Sequence, residues 1–376
     1  MIPVSEPLLR GREAEYVAEC LATGWISSSG RFIEAFEETW AAYCGRRFGV
    51  AVSNGTVALQ LAVAGLGIGR GDEVIMPSFT IISCATAVVY AGATPVLVDA
   101  DPATWAMDVS QVEARITNRT RAIMPVHIYS HPVDMDPLIR LARHHGLAII
   151  EDAAEAHGAE YRSELDDEPS WRRCGGFGEV SAFSFYANKL VTTGEGGMVV
   201  TDDDGLARRL RSLRNLAFEP KRRFLHRELG FNFRLTNVQA AIGLAQAEQI
   251  EVTVLRKREI GRRYVAGLSG LDGIRLQVER PWARSVYWMN GLVVEPATGL
   301  NASSLADRLR EQGVETRPFF VGMHRQPALL ELGLFGQEAH PVTDELAEQG
   351  LYLPSGVGLT DDQVDAVIAA TGAALG

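Results

Sequence analysis

Short apolar runs alternate with amphipathic stretches through the first two hundred residues of the chain. Several of the runs are apolar throughout, as in strands covered on both faces, whereas 56–65, 79–92 and 136–145 show helical periodicity. Alternation of strands and helices predicts a largely parallel sheet with helices on both faces, an α/β fold. The seven predicted strands are 48–53, 73–77, 94–100, 121–129, 147–153, 180–185 and 198–201.

The pattern changes after these strands. Residues 236–265 have the periodicity of one long helix, with Thr236 as its N-cap. The rest of the chain mixes helices with short strands such as 286–294, which is typical of a smaller α+β domain. We therefore expect a large domain over residues 1–247 and a small C-terminal domain over residues 248–376.

The chain has 376 residues, of which 47% are hydrophobic and 22% charged, as in ordinary globular proteins. Its net charge of -11 argues against nucleic acid as a partner, because nucleic-acid binders concentrate Lys and Arg. No apolar run reaches the roughly 18–20 residues of a bilayer span, and the first residues lack the pattern of a secretory leader. The four cysteines are widely spaced, as reduced thiols are. We expect a cytoplasmic protein without a membrane partner.

Polar residues follow three of the predicted strands. Ligands bind at the carboxyl ends of parallel strands, so 54–56, Asp152 and Ser184 are expected at one edge of the sheet. The first segment joins a strand to a helix, where backbone N–H groups bind anions and Gly55 permits a close approach. The alternatives are an ordinary turn for 54–56, a solvent-facing serine for Ser184 and a helix cap for Asp152.

Lys189 lies between a predicted strand and the glycine-rich segment 194–197. Its amine and the strand-end carboxylate of Asp152 are the two groups that an enzyme dependent on pyridoxal phosphate (PLP) requires. The amine would hold the cofactor aldehyde as a Schiff base, and the carboxylate would keep the pyridine nitrogen protonated. A surface position, the commonest environment of lysine, is the alternative. We expect no metal site, because no third ligand is suitably spaced near the pairs His127/His131 and His144/His145.

Seven stretches spread along the chain form a recognisable set: 24–28 (GWISS), 53–56 (SNGT), 71–77 (GDEVIMP), 151–158 (EDAAEAHG), 183–197 (FSFYANKLVTTGEGG), 230–237 (GFNFRLTN) and 315–320 (ETRPFF). By these stretches nearly the whole chain resembles the DegT/DnrJ/EryC1/StrS group of PLP-dependent sugar aminotransferases. Three further stretches are 125–136 (PVHIYSHPVDMD), 285–289 (SVYWM) and 323–327 (MHRQP). By these it is most similar, within that group, to the branch that aminates C4 of GDP-4-keto-6-deoxymannose.

The resemblance implies PLP fold type I, with Lys189 and Asp152 as the catalytic residues. It also implies a homodimer with shared active sites, because Asn237 of one subunit would reach the cofactor phosphate in the other. Glu155 would lie near the ring hydroxyl, where many relatives carry Gln. The cofactor-binding residues expected on this basis are Gly55, Thr56, Ile81, Asp152, Glu155, Ser184, Lys189 and Asn237.

The implied activity is a ping-pong transfer of an amino group from L-glutamate to a nucleotide-linked keto-deoxysugar. Trp25, Arg317 and His324 are the expected substrate contacts, with packing or surface roles as the alternative. Other reactions stay open: a different acceptor, such as a 3-keto sugar nucleotide or a cyclitol ketone, or sugar dehydration, whose enzymes carry His in place of the lysine. A non-catalytic PLP-binding regulator is the last alternative.

Three features depart from the family pattern. Ile81 stands where many relatives place an aromatic residue that stacks on the cofactor, so aliphatic packing or Phe79 is expected to replace the stacking. The segment 161–178 is several residues longer than usual, and is expected either to cover the mouth of the site or to form a disordered surface insertion. Ser130 stands where close relatives often have Gly.

Overall fold

The computed structural model describes residues 1–165, 168–219, 221–222 and 224–376. Its strands, in chain order, are β1 (Phe48–Val52), β2 (Glu73–Pro77), β3 (Thr94–Val98), β4 (Thr120–Ile123), β5 (Ala148–Asp152), β6 (Glu160–Ser163), β7 (Ser170–Arg173), β8 (Val180–Ser184), β9 (Gly197–Thr201), β10 (Ile274–Leu276), β11 (Ala283–Arg284), β12 (Asn290–Val294), β13 (Arg317–Pro318) and β14 (Gly350–Leu353).

The central sheet has seven strands in the order β1-β9-β8-β5-β4-β2-β3. Strand β9 is antiparallel to both of its neighbours, and the other neighbouring strands pair in parallel. This confirms the predicted fold class, a seven-stranded and mostly parallel sheet. Strand β4 is shorter than predicted, because it ends at Ile123 and the chain turns at Tyr129 and Ser130, whose positive φ values are incompatible with a strand.

The three helices predicted among the first strands are present as α3, α4 and α5, and two further helices precede β1. None of the helices in the described ranges combines the length and the apolarity that crossing a membrane requires. The helices are α1 (Glu13–Thr23), α2 (Arg31–Tyr43), α3 (Gly55–Gly65), α4 (Ser83–Tyr90), α5 (Met135–His145), α6 (Asp204–Arg214), α7 (Asn237–Ala247), α8 (Ile250–Leu268), α9 (Ala302–Glu311), α10 (Pro327–Leu330), α11 (Pro341–Gln349) and α12 (Asp361–Leu375).

The single long helix predicted over 236–265 is wrong, because the chain forms α7 and α8 with a break between them. Gln249 has φ -108° and ψ 6°, outside the α-helical region, so the helix cannot continue through it. The two helices also bury different faces, since α7 packs on α1 and α2 whereas α8 packs on α12. The predicted N-cap is confirmed: the Thr236 hydroxyl accepts a hydrogen bond from the Gln239 N–H in a capping box.

A second hydrophobic core lies within residues 248–376. The four-stranded sheet β10-β12-β14-β13 contributes to it together with α8, α9 and α12, and Val364 is one of its fully buried members. Trp288, from the same part of the chain, packs instead in the large core. The division into residues 1–247 and 248–376 stays a prediction, supported by the second core and by the break between α7 and α8.

Apart from residues 166 and 167, which are outside the described residues, the segment 161–178 has regular structure. Strands β6 and β7 form an antiparallel hairpin, and β11 pairs with β6 to complete a three-stranded sheet. The Arg284 guanidinium lies over the Trp171 ring, 3.8 Å from its centroid. A disordered insertion is therefore wrong for the described residues, and a role in covering the site stays a prediction.

Lys257, on α8, is buried, and none of the described residues forms an ion pair with it. Its ammonium donates hydrogen bonds to the backbone carbonyl oxygens of Trp288 (2.9 Å) and Ser355. Burial lowers the pKa of Lys257 from 10.5 to about 7. Between these two pH values the unfolded chain binds a proton that the folded protein has released. Folding therefore becomes more favourable as the pH rises from about 7 to about 10.

We expect the free energy of unfolding of the native protein, relative to that of Lys257→Met, to rise by up to roughly 4 kcal/mol between pH 7 and pH 10. Denaturant unfolding of both proteins at each pH measures this difference. Lys221→Met, which replaces an exposed lysine, is the control. The difference in free energy of unfolding between the native protein and Lys221→Met should not change with pH. An equal pH dependence in native protein and Lys257→Met would contradict the expectation.

Candidate active site

The carboxyl ends of β1, β5 and β8 lie at the same edge of the central sheet, because the three strands run in one direction. Strand β5 ends at Asp152, strand β8 ends at Ser184, and α3 begins at Gly55 shortly after β1. Lys189 lies in the loop between β8 and β9, where its backbone N–H donates to the Tyr186 carbonyl oxygen (2.9 Å). The chain direction therefore brings the predicted strand-end residues to one edge.

The amine of Lys189 is enclosed by protein. Only 10% of the side-chain surface is exposed, and Nζ lies 3.6 Å from Oε1 of Glu155. The same nitrogen lies 3.6 Å from the ring centroid of Trp288, a cation–π distance. Burial lowers the pKa of Lys189, and the carboxylates of Glu155 and Asp152 oppose this effect. The alternative of an ordinary surface lysine is therefore wrong.

Asp152 is buried at the end of β5 and has few hydrogen-bond donors for a carboxylate. Its Oδ1 accepts from the Ala154 N–H (3.0 Å), and its Oδ2 accepts from the Cys84 thiol (3.1 Å). The first of these bonds is the local capping contact of the alternative interpretation, but residues 153–156 form a turn and not a helix. Burial raises the pKa of Asp152. A cationic N–H group would compensate this buried carboxylate far better than the thiol does.

A narrow cradle lies between the start of α3 and the end of β8. The first N–H groups of α3 have no intrahelical partner, because no helical turn precedes them. The Asn54 side chain caps the helix by accepting from one of them, the Val57 N–H. A Cβ atom at Gly55 would lie 2.6 Å from the Cβ of Ser184, so only glycine fits this approach. The Thr56 and Ser83 hydroxyls lie 2.9 Å apart. Free N–H groups and hydroxyls at a helix start suit an anion such as a phosphate.

Glu155 is held in place by the turn that follows β4. Its Oε2 accepts from the Tyr129 N–H (2.8 Å), and its backbone carbonyl accepts from the Ser130 hydroxyl (2.6 Å). Burial raises the pKa of Glu155, and the nearby Lys189 amine opposes that rise. The carboxylate therefore faces Lys189 from a fixed position.

Either Ile81 or Phe79 is expected to contact the cofactor in place of a stacking aromatic residue, and their exposures differ. Ile81 is 44% exposed, whereas Phe79 is fully buried. The Phe79 ring packs against those of Tyr129, Phe319 and Phe320, with centroids 5.8 to 6.2 Å away. Phe79 is therefore part of the core, and Ile81 is the side chain that a ligand could reach.

Asn237, expected to reach a phosphate in another subunit, is the first residue of α7. Its side chain is buried within its own chain, where Oδ1 accepts from the Phe32 N–H (3.1 Å) and Nδ2 donates to the Trp25 carbonyl oxygen (2.7 Å). A Cβ at Gly30 would overlap the amide, so the packing above it is tight. These contacts within its own chain favour a packing role for the amide, and its expected contact with a phosphate in another subunit stays a prediction.

His324 is misplaced for the role predicted from sequence. It is 3% exposed, and both ring nitrogens are in hydrogen-bond contact, Nδ1 with the Ser78 hydroxyl (2.7 Å) and Nε2 with Asp344 Oδ1 (3.0 Å). The packing alternative is thus correct for this residue. Trp25 is 59% exposed, and Arg317 is exposed with an ion pair to Glu315 (2.7 Å), so their roles as substrate contacts stay predictions.

Two neighbours of the candidate catalytic residues have no sequence signal. Trp288, whose ring faces Lys189, lies in the stretch 285–289, but no spacing relates it to the lysine a hundred residues earlier. Its indole N–H donates to the Asn188 carbonyl oxygen (2.8 Å). Cys84 is an isolated cysteine, and only the tertiary structure shows that its thiol contacts Asp152.

His127, Glu151 and Cys174 form the one group of metal-ligand types within the described residues. The Val133 N–H donates to Nδ1 of His127, so the ring proton is on Nε2, which donates to Glu151 (2.8 Å). The same carboxylate accepts from the backbone N–H of Gly175 and from the Ser181 hydroxyl (2.9 Å). The backbone N–H groups of Phe177 and Gly178 donate to it as well, so the carboxylate has five donors. A protonated Nε2 and a carboxylate with this many donors are typical of a structural hydrogen-bond network.

The full chain matches a described protein family. A model of the DegT/DnrJ/EryC1/StrS aminotransferase family matches residues 7–371. The GDP-perosamine synthase of Caulobacter vibrioides is 45% identical, over 98% of this chain and 97% of that protein. The GDP-perosamine synthase of Escherichia coli O157:H7 is 42% identical, over 96% of this chain and 95% of that protein.

Solved structures show the same fold. The aminotransferase TlmJ from Streptoalloteichus hindustanus superimposes with a TM-score of 0.90 and 32% identity, over 100% of this chain and 99% of its own. DesV from S. venezuelae, solved in complex with a ketimine intermediate, has a TM-score of 0.88 and 39% identity, over 96% of this chain and 94% of its own.

Proposed function

The chain belongs to the DegT/DnrJ/EryC1/StrS aminotransferase family, and from this premise we propose that it transfers an amino group from L-glutamate to GDP-4-keto-6-deoxymannose, giving GDP-perosamine. The proposal of this product is supported by the two GDP-perosamine synthases that are 45% and 42% identical to the chain over nearly its full length. The proposed cofactor is PLP, which when bound supplies an electron sink for carbanionic chemistry.

One observation supports this assignment most strongly. The Lys189 amine and the Asp152 carboxylate are both buried, and no cationic side chain among the described residues makes direct contact with that carboxylate. Both lie at the sheet edge that also carries the cradle, where Gly55 approaches Ser184 too closely for any residue with a Cβ. The amine suits an aldehyde, the carboxylate suits a pyridine N–H, and the cradle suits a phosphate. The donor set therefore fits PLP, with Gly55, Thr56 and Ser184 as the proposed phosphate residues.

The surroundings of Lys189 suit proton transfer as well as covalent attachment. Burial lowers the pKa of the amine, which increases the fraction that is unprotonated near neutral pH. An amine with a pKa near the working pH can both accept and return a proton. We propose that the Lys189 amine accepts the proton from the substrate carbon that bears the nitrogen and would return it to the carbon that was the cofactor aldehyde, while Glu155 and Trp288 hold its Nζ. Asp152 has no proton-transfer role in this scheme and acts by its charge.

Glu155→Gln should shift the pH dependence of the PLP-loaded protein. The carboxylate lies 3.6 Å from Nζ and stabilises the protonated nitrogen, so an uncharged amide should lower the midpoint of the absorbance titration by about one pH unit. Glu160→Gln, on β6, serves as a control for loss of a carboxylate elsewhere. A titration of Glu155→Gln that coincides with that of the native protein would contradict this expectation.

We further propose that the active unit is a homodimer. Support comes from large apolar side chains exposed near the site and on the segment before α7, since monomers rarely expose many of them together. The exposed fractions are 59% for Trp25, 51% for Ile26, 44% for Ile81, 48% for Tyr186 and 92% for Leu229.

Leu229→Asp should weaken the dimer by at least about tenfold, because a carboxylate in an apolar interface loses its hydration. Light scattering across a dilution series measures the dissociation. The matched control is Leu332→Asp, which changes an exposed leucine of the small C-terminal domain. If Leu229→Asp stays as dimeric as the control, this surface does not form the interface.

A cytoplasmic location is part of the proposal. The four cysteines, all within the described residues, are buried free thiols, as expected in a reducing compartment. Nucleotide-linked sugar and L-glutamate are the proposed small-molecule partners.

The test of the proposed function follows the absorbance of the PLP-saturated protein during each half-reaction. We expect L-glutamate to remove the band near about 410–430 nm and GDP-4-keto-6-deoxymannose to restore it. Loss without restoration would keep the aminotransferase and exclude this sugar, which would favour a 3-keto sugar nucleotide or a cyclitol ketone. Sugar consumption without an amino donor would indicate dehydration. A protein that forms no band at all would exclude the role of Lys189.

A further inference from the structure

The turn after β4 contains two consecutive residues in the left-handed region. Tyr129 has φ 50° and Ser130 has φ 76°, and both are completely buried. This region is unfavourable for residues with a Cβ, whereas Gly would adopt it freely. Strained backbone persists where the surrounding contacts impose it, and it is frequent at functional sites.

The Ser130 hydroxyl makes two hydrogen bonds that a glycine could not make. It donates to the Glu155 backbone carbonyl oxygen (2.6 Å) and accepts from the backbone N–H of Trp288 (3.0 Å). One residue earlier, the Tyr129 N–H donates to the Glu155 carboxylate (2.8 Å). The turn therefore joins Glu155, which follows β5, to Trp288, which precedes β12.

The two residues joined by Ser130 are the two that hold the Lys189 amine. The distance from Nζ to Oε1 of Glu155 is 3.6 Å, and the distance from Nζ to the ring centroid of Trp288 is also 3.6 Å. A carboxylate and an aromatic face both favour the protonated amine. The other ionisable groups that act on Lys189 are Asp152 and the buried His157, whose pKa is lowered by burial to about 3, so that it is neutral.

We propose that Ser130 is a positioning residue: by joining Glu155 to Trp288 it holds both against Lys189 and so sets the proton affinity of that amine. This deepens the proposed function, since Lys189 is taken as the reacting amine. The proton affinity itself is a property of the cofactor-free protein. It can therefore be measured without any sugar substrate, and its outcome is separate from that of the half-reaction test.

The experiment measures the pKa of Lys189 in cofactor-free protein by competitive acetylation across a pH series, with peptide mass spectrometry. The chain has only three lysines, Lys189, Lys221 and Lys257, and the exposed Lys221 provides the internal reference. In Ser130→Ala and Ser130→Gly we expect the midpoint for Lys189 to fall by about half a pH unit or more, because Glu155 and Trp288 are no longer joined.

The control is Ser163→Ala, on β6. It removes another buried hydroxyl, which donates to Asp136 of α5 (2.7 Å). Its Lys189 midpoint should equal that of the native protein. In a Glu155→Gln background, Ser130→Ala should shift the midpoint by less than it does alone, because the two changes act on one contact.

A purely structural role for Ser130 makes a different prediction. Ser130→Ala would then be less stable, Ser130→Gly would recover stability by removing the backbone strain, and both would keep the native Lys189 midpoint. Unchanged midpoints in both variants would overturn the proposal. If Ser130→Ala does not fold, Ser130→Gly, in which position 130 is no longer strained, still decides the question.

Discussion

Lys189→Ala is expected to lower the rate of amino transfer by about 10⁴-fold, the largest effect of any single substitution in this chain. The amine has two proposed roles, covalent attachment of the aldehyde and proton transfer, and alanine removes both. Its buried position beside Glu155 and Trp288 means that no other amine can replace it, since Lys257 is engaged with two backbone carbonyls and Lys221 is exposed.

Single-turnover absorbance measurements with L-glutamate give the rate for Lys189→Ala and for the control Lys221→Ala, which should react like the native protein. A small alkylamine in the buffer should restore part of the lost rate, because the missing group is an amine. Retention of more than about a tenth of the native rate in Lys189→Ala would assign the reaction to another residue.

Asp152→Asn is expected to lower kcat/KM by about 10²–10³-fold while making the cofactor-free protein more stable. The substitution keeps the shape and the contact with the Ala154 N–H, but it removes the charge that a pyridine N–H would need. Burial raises the pKa of the carboxyl, so its ionised form opposes folding at neutral pH. Removing that charge should raise the free energy of unfolding by about 1 kcal/mol.

Steady-state kinetics and denaturant unfolding of cofactor-free protein test the two halves of this prediction. Asp136→Asn is the matched control, because Asp136 is a buried carboxylate whose oxygens accept from Ser163 and from the Glu164 N–H (both 2.7 Å). It should lose stability and keep its kcat/KM, the reverse of what is expected for Asp152→Asn. An Asp152→Asn protein with native kcat/KM would show that the charge is not used. Added alkylamine should not rescue this variant.

The positions of Lys189, Asp152 and the segment 54–56 in the fold could be predicted because each signal is local. An apolar run that ends in a carboxylate, or in a serine, marks the end of a buried strand, and parallel strands place such ends at one edge. The helix start at Gly55 is equally local, since a capping side chain and a glycine lie next to each other in sequence.

The errors have a common cause in contacts between distant parts of the chain. His324 belongs to a family motif, yet both of its ring nitrogens are in hydrogen-bond contact with residues that no sequence pattern relates to it, Ser78 and Asp344. The long helix over 236–265 has continuous amphipathic periodicity, but α7 packs on α1 and α2 whereas α8 packs on α12. Periodicity records that a face is buried, but not what it is buried against.

The sequence by itself determined the class of sheet, its order of strands and helices along the chain, and the amine and carboxylate at its edge. These follow from backbone hydrogen bonding and side-chain burial, which act over a few residues and leave a regular pattern. Only the tertiary structure decided what surrounds the amine. Trp288 reaches Lys189 from a hundred residues away, and a strained serine joins it to Glu155. Such contacts depend on packing across the molecule, which has no period in the chain.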